Sequence, residues 1–124
     1  MNLETKQNQN LLTNTIIEAL QDKKGRQIVV VDLSSIPDAA CQKFIICTGS
    51  SPSQVQALAE NVADETRNRL RIRPLAVDGT RHAFWVAMDY AEVIVHILLP
   101  EERAFYDIEH LWADADTTEI PNLD

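Results

Sequence analysis

The segment Gly49-Ser50-Ser51-Pro52-Ser53-Gln54 leaves the chain few courses to follow. Ahead of it, Lys43 to Thr48 is an apolar run that reads as a strand. Within it, Ser51 suits a helix N-cap, Pro52 the first helical position, and Gln54 completes a capping box three residues after the cap. Behind it, Val55, Leu58, Ala59, Val62 and Leu70 recur at helical spacing, and Arg67 and Arg69 oppose the negative end of the helix dipole. The spacing predicts strand, capped turn, then a helix to about Leu70.

The flanking sequence adds elements on both sides. Leu11, Leu12, Ile16, Ala19 and Leu20 predict a helix from Asn10 to about Lys23, stopped at Gly25. Ile28 to Leu33 reads as a buried strand, and Ser34-Ser35-Ile36-Pro37-Asp38 as a turn. The link to the second strand is too short for a parallel crossover, so this pair is expected to be antiparallel. Pro74–Val77, Ala83–Asp89 and Val93–Leu99 predict three further strands, and Glu101–Trp112 a closing helix. The order is α-β-β-α-β-β-β-α. It implies one α/β (α+β) domain over residues 11–113, with a mixed sheet of about five strands and flanking helices. Residues 1–10 are expected to be flexible, and residues 114–124 to form a loose acidic tail.

Charge narrows the possible partners. The 124 residues carry 11 Lys and Arg against 19 Asp and Glu, a net charge of −8. Residues 101–124 hold eight of the acids and one Arg, so the excess sits at the C-terminal end. Binding to nucleic-acid phosphates through counterion release needs a basic surface, which this balance disfavours. Arg67, Arg69, Arg71 and Arg73 are the weak exception, better read as helix capping and solubility. Cys41 and Cys47 make no disulfide scaffold. Neither a signal peptide nor an apolar run of membrane-spanning length is visible, so a cytoplasmic protein is expected.

Several residue groups invite a catalytic reading and fall short of one. Thr48-Gly49-Ser50-Ser51 between strand and helix suits an anion, but lacks the Gly-Lys-Ser/Thr ending of a Walker loop. A Gly-Ser pair there also suggests a nucleotidyltransferase, which needs paired carboxylates on the next strand to hold two metal ions. That strand offers Asp78 alone, and the one D-x-D, Asp114-Ala115-Asp116, falls in the tail. His82, His96 and His110 lack metal-ligand spacing, and Ser50, His96 and Asp89 lack a nucleophile elbow. No cofactor, metal or catalytic residue is expected, and the runner-up reading is a degenerate nucleotide-binding protein.

What remains is an aromatic and acidic cluster: Trp85, Asp89, Tyr90, Glu92, Phe105, Tyr106, Glu109 and Trp112. Trp85, Ala87 and Asp89 share one face of their strand, and a face bearing Asp89 is not wholly core. Aromatic anchors ringed by acid suit a basic protein surface. Packing of the last helix onto the sheet by the two tryptophans accounts for them equally well.

Four blocks in series are similar to the Iojap family of bacterial ribosomal silencing factors. They are Ile45 to Ser51 with Gln54-Val55; Gly79 with Trp85 and Asp89-Tyr90; Val95-His96; and Arg103-Ala104-Phe105-Tyr106-Asp107-Ile108-Glu109-His110-Leu111-Trp112. The resemblance covers about residues 11–114. It implies a nucleotidyltransferase-like shape without catalysis, and binding to the large ribosomal subunit through its ribosomal protein fourteen. Such a factor obstructs small-subunit docking and quiets translation when nutrients run short; homodimers are known in the family. Trp85, Asp89, Tyr90, Glu92, His96, Tyr106 and Glu109 are then the expected contacts with the ribosomal protein. Ala91 departs from the family, which usually has Gly after Asp-Tyr; glycine in a turn reaches backbone shapes that Ala dislikes.

Overall fold

The computed structural model describes residues 3–39, 41–111 and 115–123. Helix α1 (Leu3–Asp22) precedes the antiparallel strands β1 (Arg26–Asp32) and β2 (Lys43–Thr48). Helix α2 (Pro52–Leu70) leads to β3 (Ala76–Asp78), β4 (Trp85–Asp89) and β5 (Val93–Leu98), each antiparallel to the one before. A short helix α3 (Pro100–Tyr106), a 3-10 turn (Ile108–His110) and β6 (Asp116–Ile120) complete the order. The single sheet runs β3-β4-β5-β2-β1-β6, and its one parallel pair is β2 with β5.

The alternation of side chains across the strands gives the sheet two unlike faces. Ile28, Ile45, Cys47, Val86, Met88, Val95 and Ile97 point to the side covered by α1 and α2, where they meet Ile16, Leu20, Val55, Leu58 and Val62. Val29, Val31, Ile46 and Leu98 point to the other side, which lies under the segment after β1 and the 3-10 turn through Leu33, Cys41 and Ile108. That second cover is partial and leaves Phe44, Trp85 and Ile94 only partly buried.

The Ser51 cap is built as its residues predict, but the Gln54 side chain reaches back to Ser50 rather than to the Ser51 amide, so the reciprocal arm of the expected capping box is shifted by one residue. Ser51 is extended, its Oγ accepts from the Gln54 amide at 3.1 Å, and Pro52 opens α2. Gly49 is fixed by packing, because a Cβ there would lie 2.7 Å from Val55 Cγ2. Removing the cap acceptor in Ser51→Ala should cost about 0.5–2 kcal/mol of stability. Urea denaturation reads this as a lower midpoint, and an unshifted midpoint would mean the cap carries no weight.

Three boundaries differ from expectation. α1 begins at Leu3, ahead of the expected start at Asn10, so residues 3–10 are helical. The closing helix stops at Tyr106 because Asp107 turns left-handed (φ 47°); Asp tolerates that conformation better than most residues, and no glycine marks the site. Residues 116–120 form an edge strand paired antiparallel with β1, from Ile28–Ile120 to Asp32–Asp116. Part of the expected loose tail, residues 116–120, is therefore a sixth strand. Its Asp and Glu hid a β-branched centre, Thr117-Thr118, which pairs with Val31 and Val30. Trp112, Ala113 and Asp114 lie outside the described residues.

Candidate functional site

Trp85 stands at the start of β4, opposite Leu98 of β5, on the less covered face. Its Nε1–H donates to His96 Nδ1 at 3.0 Å. A neutral imidazole that accepts at Nδ1 carries its proton on Nε2. Burial pulls the His96 pKa down to about 4, so the neutral ring is the form present near pH 7. Phe44 of β2 meets the His96 ring edge-on at 4.9 Å between centroids. From α3, Tyr106 lies on Trp85 at 4.8 Å, and Phe105 meets Tyr106 at 5.0 Å.

The outer rings of this group are open to solvent. Phe105 is 81% exposed and Tyr106 47%. Glu101 and Glu102, in the first turn of α3, border the same rings in a shallow groove with Phe105 and Tyr106. The acid sits where a helix N-terminus favours it. Exposed aromatic rings grouped together and edged with charge are the composition of a contact surface.

The seven residues singled out by sequence divide into three groups. Trp85 and Tyr106 form the aromatic platform, with His96 buried behind Trp85. Asp89 and Glu92 lie farther along, at the β4–β5 turn, where Asp89 Oδ1 accepts from the Ala91 amide at 2.7 Å and the Glu92 side chain is exposed. Ala91 is left-handed (φ 71°), the conformation for which glycine is better suited. Tyr90 and Glu109 face inward. Tyr90 is 6% exposed on the helix-covered side, with its hydroxyl 2.9 Å from Thr66 Oγ1 of α2. Thr66 in turn donates to the Val62 carbonyl, so the Tyr90 hydroxyl is the donor of that pair. Both oxygens of Glu109 accept from Arg103. Tyr90 is therefore corrected from an exposed anchor to a core residue. Sequence reading passed over Phe44, Glu101 and Glu102; β2 register places Phe44 on the Trp85 face.

The groups considered for catalysis are engaged separately. The Ser50 amide and hydroxyl both bond to Gln54 Oε1, at 2.6 and 2.7 Å, so the amide a phosphate would need already has an acceptor. Ser50 bonds to Gln54, His96 to Trp85 and Asp89 to Ala91, and no hydrogen bond among the described residues links the three. Arg67 pairs with Asp64, and Arg69 with Glu18 and Glu65. Among the described residues there is no group of three or more His, Cys, Asp or Glu placed to hold a metal ion.

Fold and site together define a small mixed α/β domain that presents an acid-bordered aromatic platform beside its last helix. A family model described as "Ribosomal silencing factor during starvation" matches residues 5–124. The chain belongs to this ribosomal silencing factor family. It is 38% identical over 117 residues to the ribosomal silencing factor RsfS of Halalkalibacterium halodurans, covering 94% of this chain and 97% of that one. It is 32% identical over 114 residues to the RsfS of Bacillus subtilis, covering 91% and 94%. A crystal structure of a Chromobacterium violaceum protein superposes with a TM-score of 0.79 at 36% identity, covering 84% of this chain and 85% of that one. Among the described residues no helix is long and apolar enough to cross a membrane.

Proposed function

We propose that this protein binds the large ribosomal subunit through its ribosomal protein fourteen and, seated there, obstructs docking of the small subunit when nutrients are scarce. The observation that carries the reading is the platform of Trp85, Tyr106 and Phe105, whose two outer rings, Tyr106 and Phe105, are exposed and edged by Glu101 and Glu102. A chain of net charge −8 is repelled by subunit RNA and is drawn instead to a basic protein patch. The rings supply most of the buried area, while Glu101, Glu102, Asp89 and Glu92 steer encounter and fix orientation. Silencing then needs no bond chemistry, only a bound body where the small subunit must sit. The protein acts, on this reading, in the cytoplasm.

Co-sedimentation with purified subunits tests the proposal. The protein should pellet with large subunits and not with small ones, and less of it should pellet as salt is raised, because salt screens the rim charges. Asp89→Lys should weaken binding by setting like charge against the basic patch. No sedimentation with large subunits, or loss of binding on changing Arg67 and Arg69 but not Asp89, would overturn it.

A further inference from the structure

The platform rests on an anchor that is itself nearly hidden. Arg103 of α3 has a side chain only 10% exposed, and all three of its nitrogens are engaged. Nε donates to Glu109 Oε1 at 2.9 Å and Nη2 to Glu109 Oε2 at 3.0 Å, a planar two-bond fork. Nη1 donates to Thr48 Oγ1 of β2 at 2.8 Å and to the main-chain carbonyl of Gln27 in β1. The fork holds the Glu109 carboxyl below its usual range, so the acid is charged and committed to Arg103.

Gln27 is unusual in its own right. It is a non-glycine residue at φ 51°, within a register shift of β1 between Arg26 and Val29. Such a conformation persists where its surroundings hold it. The Gln27 amide donates to Asn122 Oδ1 at 3.0 Å, its carbonyl accepts from Arg103, and its side-chain Oε1 accepts from Thr48 Oγ1 at 3.4 Å. One strained residue thus joins α3, β2 and the segment after β6.

Helix α3 has little else to fix it. It is seven residues long, none of its apolar side chains is buried, and Leu99 at its N-cap provides no side-chain hydrogen bond. A helix so short does not hold itself in water. We propose that Arg103 is a positioning residue for docking: its fork to Glu109 and its bonds to Thr48 and Gln27 set α3 so that Tyr106 lies on Trp85 and Phe105 faces outward. Glu109 then serves the platform from beneath rather than by touching the partner. The proposal rests on the docking reading above and deepens it.

The test uses the full chain labelled with 15N, with two readouts. One is the Trp85 indole N–H signal, identified by its loss in Trp85→Phe; the other is affinity for purified large subunits. Arg103→Lys keeps the charge but cannot form the fork. It should shift the indole signal, as Tyr106 leaves the ring, and weaken binding at least tenfold, with the signals of Val62 and Val95 unmoved. Glu109→Gln, a milder change should Arg103→Lys fail to fold, should fall between wild type and Arg103→Lys in both readouts. Phe105→Ala should weaken binding and leave the indole signal in place. An indole signal at its wild-type position in both anchor variants, or binding within twofold of wild type despite a shifted signal, overturns the proposal. If the wild-type chain itself fails to bind, the docking reading falls, and the indole signal still decides whether Arg103 sets α3.

Discussion

Tyr90→Ala is expected to lower stability by about 3–5 kcal/mol, the range for truncating a buried aromatic side chain. Domains of this size are commonly stable by about 5–15 kcal/mol, so the variant should be partly unfolded at modest urea. The ring is 6% exposed and packs with the cluster that includes Val62, Met88 and Val93. Its loss leaves a cavity there and removes the donor to Thr66. Tyr90→Phe keeps the ring and should cost only about 1 kcal/mol, since Thr66 retains its own bond to the Val62 carbonyl. Subunit binding by folded Tyr90→Phe should match wild type. A denaturation midpoint for Tyr90→Ala close to wild type would place the ring in solvent and restore it to the docking face.

Trp85→Ala acts on the other side of the sheet and should be read in binding. It removes the surface on which Tyr106 rests and leaves His96 Nδ1 without its donor. Both consequences fall on the platform, so affinity for large subunits should drop by about 2 kcal/mol or more, roughly thirtyfold. Trp85 is only partly buried, and the variant should remain folded by circular dichroism. Trp85→Phe retains a ring but no N–H donor, and should lose less. Undiminished binding by folded Trp85→Ala would make Trp85 a packing residue for α3.

These two residues also show what could be read from the sequence. Residues alternate across a strand, so Trp85 and Tyr90, five apart, cannot share a face of β4 and its continuation. The same rule that grouped Trp85 with Asp89 excluded Tyr90, and chemical likeness within the cluster obscured it. The capped start of α2 was legible because Ser51, Pro52 and Gln54 act within one turn. β6 was not, because Asp116-Thr117-Thr118-Glu119-Ile120 becomes a strand only by pairing with β1, about ninety residues away in sequence. The role of Arg103 was equally hidden: its position in the family-like block was visible, but its bonds to Thr48 and Gln27 depend on tertiary structure. Four family-like blocks in one order carried the family, while the division of the seven residues between platform, rim and core needed coordinates.

Subunit joining tests the central claim most directly. Purified large subunits would be incubated with the protein, small subunits added, and joined ribosomes measured by gradient sedimentation. Wild-type protein at saturating concentration should leave the subunits largely separate, with the protein in the large-subunit fraction. Trp85→Ala at the same concentration should restore joining. Normal joining with wild-type protein bound to the large subunit would contradict silencing by occlusion, as would inhibition by Trp85→Ala equal to that of wild type.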